Sequence, residues 1–342
     1  MSALLALLIA SGGPLGLRTQ GPLRELFLDV TGADARPIVR PELDVRWSIA
    51  NTWNEPMTLQ HGGVLATQTL DEQADSLALR LKAPWPGIPR VWSSLEWKLT
   101  QHWGGWSDGP IEAWHSVIAS FNYQRSSFPR NKVHLLYADA GGTAFDVRTG
   151  TLAVGDLTAR TQAALLEGPV ALAARFDFKL PVGSLSAAGG SGGLDAGAGL
   201  VATWPAAPWV TLHGLVALSA FSDLSAPTAL QPKRWHFTGE LSAEFEVLGC
   251  TLLIEDRVLS PLLEPGWSLS DPSASADALL SSGLYADFRT HNQISFGFRR
   301  GRFSFWLSED FTPGSNPPSV LTWLWVSNAP DVVLGVAFTQ PL

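Results

Sequence analysis

Three residues near the first third of the chain have the types that acid–base chemistry uses. Asp108, Glu112 and His115 are spaced about one turn apart, so on a helix they share one face. A carboxylate beside an imidazole suits general acid–base work or part of a metal site. A metal needs further ligands, and no spacing in the sequence nominates one. Neither a metal nor a cofactor is therefore expected. The structural alternative has Asp108 capping the helix, with Glu112, Trp114 and His115 fixing it as a plug among lumenal side chains. A lipid hydrolase would need a serine activated by His115, His213 or His236. The chain holds no Gly-x-Ser-x-Gly and no Ser/His pair at a diagnostic spacing, so the expectation is a non-enzyme with no catalytic residues.

A second set of polar residues recurs at every other position. Asp156, Arg160, Arg175, Asp177, Lys179, Arg234, His236, Glu240 and Glu244 each fall on the polar side of an alternating stretch. Charges gathered in a narrow interior must be hydrated or paired. They make either a salt-bridged, closed interior or a solute path whose charged rings set selectivity.

The elements that carry these residues are long strands. From Leu152 to Leu166 the odd positions Ala153, Gly155, Leu157, Ala159, Thr161, Ala163 and Leu165 oppose Asp156, Thr158, Arg160 and Gln162. After Glu167-Gly168-Pro169, Val170, Leu172, Ala174, Phe176, Phe178 and Leu180 oppose Arg175, Asp177 and Lys179. Side chains alternate across a strand, so this is an antiparallel hairpin with one apolar and one charged face. Strands of about 9–11 residues with apolar-out, polar-in alternation are what a tilted membrane-spanning barrel requires. The pattern recurs through up to sixteen segments, including 132–138, 284–291 and 320–326, and breaks only at 108–121, where Ile111, Trp114, Ile118 and Phe121 predict a short helix.

Composition agrees. Hydrophobic residues make up 46% of the 342 and charged residues 16%, but no apolar run approaches a membrane helix of about 18 residues. The 15 tryptophans, with Trp204, Trp209, Trp235, Trp323 and Trp325 near strand ends, predict interfacial girdles. A net charge of −8 argues against nucleic-acid binding. Residues 1–16 read as a signal peptide without a basic n-region, 17–41 as a periplasmic or lumenal segment, and 42–342 as the barrel.

Trp106-Ser-Asp108-Gly-Pro-Ile-Glu-Ala-Trp114-His115, Gly155-Asp156-Leu157-Thr158 and Lys179-Leu-Pro181-Val-Gly183 with Ser191-Gly192-Gly193-Leu194-Asp195 resemble an uncharacterised family of Gram-negative outer-membrane proteins known as a domain of unknown function. The Gly-Asp-Leu and Lys-Leu-Pro-x-Gly pieces are also similar to outer-membrane proteins of the phenol-degradation type. The resemblance runs from about Pro22 to the C-terminal strand and implies location and fold, with no catalytic residues. The expectation is an all-β transmembrane antiparallel up-and-down barrel of 12–16 strands, exported to the bacterial outer membrane. Its partners would be the lipid bilayer, the outer-membrane assembly machinery and a small solute passing through a narrow or gated channel. The competing class is a non-transporting structural or interaction barrel. Short links at 167–169, 205–208 and 248–249 are assigned to the periplasmic side, and strand parity then puts the helix there too, or folded from there into the barrel mouth.

Overall fold

The computed structural model describes residues 12–117, 129–229, 231–264, 268–269, 290–311 and 332–342. The first strands are β1 (Glu42–His61), β2 (Val64–Trp85) and β3 (Ile88–Trp103), followed by helix α1 (Asp108–Val117). Next come β4 (His134–Asp139), β5 (Gly142–Arg148), β6 (Thr151–Val154), β7 (Leu157–Leu166), β8 (Ala171–Leu180) and β9 (Asp195–Ala207). The remainder are β10 (Val210–Ala220), β11 (Trp235–Val247), β12 (Cys250–Leu259), β13 (Ser268–Leu269), β14 (His291–Arg300), β15 (Phe303–Phe311) and β16 (Val332–Pro341).

Twelve of these strands close a barrel. The wall runs β1-β2-β3-β7-β8-β9-β10-β11-β12-β14-β15-β16 and returns to β1, every pair antiparallel. Closure pairs backbone groups around the ring, as hydrocarbon demands, and leaves the wall no free edge. One end carries tight turns. At the β11–β12 turn, Leu248 (φ 53°) and Gly249 (φ 77°) are both left-handed, the backbone twist that suits a two-residue hairpin.

The faces are inverted relative to a water-soluble protein. Phe176, Leu200, Leu218, Leu241, Ile254, Phe296 and Phe305 are exposed, Leu241 at 72%. Arg160, Arg175, Asp177, Lys179, Glu240, Glu244, Glu255 and Arg257 are buried. Trp85, Trp204 and Trp209 project near the short-turn end and Trp103, Trp106 and Trp235 near the other, making two aromatic girdles. Trp323 and Trp325 lie outside the described residues, as do residues 284–289 and 320–326 of the expected strands.

Three expectations change. The 152–166 stretch is two strands separated by Gly155-Asp156. Opposite β3 the register passes from Leu99↔Val154 to Glu96↔Thr158, one extra residue, which is a bulge. It reverses the faces, so Ala153 points inward and fully buried while Leu152 and Val154 face out. Gly155 is required there, because a Cβ would sit 2.8 Å from the Lys98 carbonyl oxygen.

The 132–138 segment is not a wall strand. β4 pairs with the Ala66–Asp71 part of β2, beyond the reach of β3, and β5 pairs with β4. With this hairpin removed from the wall the parity shifts. α1 therefore follows β3 at the end that carries the long connections, opposite the short turns, and its periplasmic placement is corrected.

Candidate functional site

The lumen is filled by the segment preceding β1. Residues 12–41 enter at the short-turn end, rise past β12 and β11, turn through a 3-10 helix at Arg24–Leu26, and descend beside β8 and β9. Chain termini seldom hold such a path unless tied down, and here the wall ties the backbone itself. The Glu244 and Glu255 carboxylates accept from the N–H groups of Gly13 and Leu15. On the descending arm, Asp195 accepts from Leu28 N–H at 2.9 Å, Glu240 from Gly32 N–H at 2.8 Å, and Thr203 Oγ1 from Ala35 N–H at 2.9 Å.

Wall cations take the carbonyls. Arg299 donates to Gly13 O and Arg46 to Leu15 O, both at 2.6 Å, while Arg257 donates to Leu17 O and Arg175 to Thr31 O. A buried hydrogen bond to a charged group contributes about 1.5–3 kcal/mol net, and these contacts replace the water an extended backbone would otherwise need.

Apolar packing completes the fit. Leu15 and Leu17 meet Leu253, Trp306 and Ala337, and Leu28, Val30 and Ala35 meet Trp92, Ala173, Val201 and Leu215. At the apex Leu23, Leu26 and Phe27 join Leu59, Leu70, Leu135, Tyr137, Phe145 and Leu262 in an apolar cap. Hairpin β4–β5 thus covers the loop-side mouth, and the segment anchors to it.

Beside the segment runs a charge ladder across adjacent strands. Arg80 on β2 donates to Glu96 on β3 at 2.5 Å, Arg160 on β7 to the same carboxylate at 3.0 Å, and Arg160 Nε lies 3.2 Å from Asp177 on β8. Arg175 Nε closes the row on Asp177 at 2.7 Å, and Arg18 of the segment reaches Glu96 at 3.6 Å. Higher up, Lys179 Nζ bonds Asp156 and Ser191, each at 2.7 Å, and sits 3.3 Å from Asp195.

The structure thus brings Asp156, Arg160, Arg175, Asp177, Lys179, His236, Glu240 and Glu244 to the interior. Arg234 is the exception. It precedes β11 and is exposed above the rim, because the alternation extends past the point where the wall ends. Of the α1 residues, only Asp108 and Glu112 have described side chains with polar partners. Asp108 is buried, accepting from Asn51 Nδ2 at 3.2 Å and from Asn131 N–H at 2.7 Å, and Glu112 pairs with Arg130. The side chains of Trp114 and His115, and residues 118–121 of the expected helix, lie outside the described residues, as do Met1–Ser11 of the expected signal peptide.

Alternation in β3 places Glu96 inward; Asp195 is not among the residues nominated from the sequence, although it lies in phase with Val201 and Thr203 on the inward face of β9. Asp29 carried no periodic signal, yet it accepts from Arg257 and from Thr19 N–H at 2.8 Å. Burial alone would raise its carboxyl, but Arg257 and Arg18 hold it below its ordinary 3.8.

The serine–histidine geometry is poor for nucleophilic work. His236 Nδ1 is 3.5 Å from Ser260 Oγ, which already accepts from Phe237 N–H at 2.9 Å, and the ring is stacked on Phe221 with centroids 4.1 Å apart. His213 Nδ1 contacts Thr203 Oγ1 at 3.0 Å. Among the described residues no group of metal-ligand side chains converges.

The fold and its contents define a membrane-spanning β-barrel of the outer-membrane type, with an internal segment occupying a charged lumen. The chain belongs to the family described as "Protein of unknown function (DUF3187)", matched over residues 9–280. Among solved structures it is similar to an outer membrane channel from Pseudomonas putida F1, at 12% identity and TM-score 0.48, covering 90% of this chain and 97% of that one. It is also similar to the P. putida toluene transporter TodX (8% identity, TM-score 0.39, 90% and 91% covered). A third is the CymD monoaromatic hydrocarbon channel (12%, 0.37, 89% and 88%). No curated protein matches the chain.

Proposed function

We propose that this barrel is a gated path for a small solute across the outer membrane, and that residues 12–41 are its gate. The supporting observation is the way the segment is held. Its backbone is bound by wall charges on several strands, while its polar interior contacts are of a kind water or a solute can replace. A purely structural barrel would more simply fill its lumen with apolar wall side chains, as small barrels do. Channels with rings of charged side chains select solutes by those charges.

Transport and not catalysis is the reading, because the His236–Ser260 separation is long, at 3.5 Å, and the imidazole is held by the Lys233 carbonyl at 2.7 Å and by stacking on Phe221. Planar-bilayer recording tests it. Deleting residues 17–36 should convert a mostly closed protein into one with steady ion conductance. A deletion variant that inserts as a folded barrel and stays silent would support the structural barrel instead.

A further inference from the structure

We propose that the short-turn mouth of the lumen is an oxyanion-binding vestibule for a small carboxylate or phosphate solute, a proposal that rests on the solute-path reading. Two adjoining cavities lie there, of about 90 Å³ and about 40 Å³, one on each side of Gly12-Gly13-Pro14. Arg46 and Lys82 line both. Together the two are lined by seven basic side chains and three carboxylates, Asp34, Glu42 and Asp44. Glu96, Asp177 and Glu244 stand behind and brace the guanidiniums. On the cavity surfaces themselves the cations outnumber the carboxylates, in a chain whose overall charge is −8.

Two donors there have capacity to spare. Lys82 Nζ lies 3.5 Å from Glu42 and 3.6 Å from Asp44, too far for a strong charged hydrogen bond to either. Its three protons are available to a third acceptor. The indole N–H of Trp306, on the wall of the smaller cavity, is buried and has no acceptor among the described residues. A buried donor left without a partner costs about 1–3 kcal/mol, and an oxyanion beside Lys82 and Arg46 would supply the acceptor. A cleft in which one sign of charge predominates also concentrates the opposite ion, so anionic solute entering from the short-turn side would collect at the foot of the gate. Arg46 and Arg299 bond the carbonyls of Leu15 and Gly13. An anion drawing those guanidiniums away would loosen the ascending arm.

The test is calorimetric titration of the full-length protein in detergent at low ionic strength, with inorganic phosphate and benzoate as probes and tetramethylammonium chloride as the cation control. Saturable binding of either oxyanion is expected, weakened tenfold or more in Lys82→Met and restored in Lys82→Arg. Trp306→Phe, which keeps an aromatic ring but removes the N–H, should weaken it about threefold, and the exposed Arg234→Met should leave it unchanged. No saturable heat with either probe, or equal binding by wild type and Lys82→Met, would overturn the proposal. Anion binding by a barrel that never conducts would preserve the site and remove the transport reading; conductance without anion binding would do the reverse.

Discussion

Asp29, in the segment that fills the lumen, accepts a hydrogen bond from the guanidinium of Arg257 on β12, and both side chains are buried. The pair joins the gate to the wall by charge in the half of β12 nearer the long connections. Removing one member of a buried pair costs about 3–5 kcal/mol, because the other is left uncompensated. Arg257→Met should therefore free residues 15–35 to exchange amide hydrogen faster while β7–β10 stay protected. Hydrogen-exchange mass spectrometry reads both regions at once, and unchanged exchange in the segment would show that the pair does not hold it.

The same pair sets a pH limit. The folded-state value of Asp29 lies below its ordinary 3.8. Its contribution is then fully present above the unfolded value and is lost as pH falls through the lower folded one. Gate exchange should be insensitive to this group from pH 7 to 5 and should rise only below about pH 4. In Asp29→Asn the rise attributable to it should vanish.

Gly32 tests the fit of the descending arm. A Cβ there would fall 1.7 Å from Glu240 Oε1, and Glu240 is also the acceptor for the Gly32 N–H. Gly32→Val should push the arm off β11 and raise open-channel probability at least tenfold in planar bilayers, and Gly32→Ala should do so less. A valine variant as closed as wild type would mean that the gate is not held at this contact.

Glu96 serves Arg80 and Arg160 from the wall and Arg18 from the segment. Glu96→Gln leaves three cations around a neutral amide. The expected loss is on the order of 3–5 kcal/mol in urea unfolding of the bilayer-inserted barrel. A neutral effect would mean that water already screens the ladder.

On the outer surface, Leu241 is the most exposed apolar side chain of β11. Leu241→Arg would place a charge in hydrocarbon, at about 2–4 kcal/mol near the bilayer midplane. Ser242→Ala, one residue along and facing inward, should cost far less. Equal effects in a vesicle folding assay would contradict the assigned faces.

Much of this architecture is local in origin. The period-two pattern alone assigns Phe176 and Phe178 to lipid and Arg175, Asp177 and Lys179 to the interior, because successive side chains on a strand must point to opposite faces. The same rule located the turns and, through them, the barrel. It fails where one residue changes the phase. In the run from Leu152 to Leu166 the apolar Leu152 and Val154 on the even positions and the glycine after them mark a change of phase, but the extra residue itself is defined only against the partner strand β3.

Pairing over distance decided the rest. His134–Asp139 alternates as a wall strand does, and only its partner, the protruding half of β2, shows that it belongs to a cap; that one pairing also moved α1 to the other end of the barrel. The segment 12–41 has no period to read. Its place depends on Glu240, Glu244, Glu255 and Arg257 converging from strands more than 200 residues away in sequence. Side-chain alternation is a property of a single strand, and so the sequence by itself determined an inside and an outside. Which segment occupies the inside depends on contacts that exist only once the ring has closed.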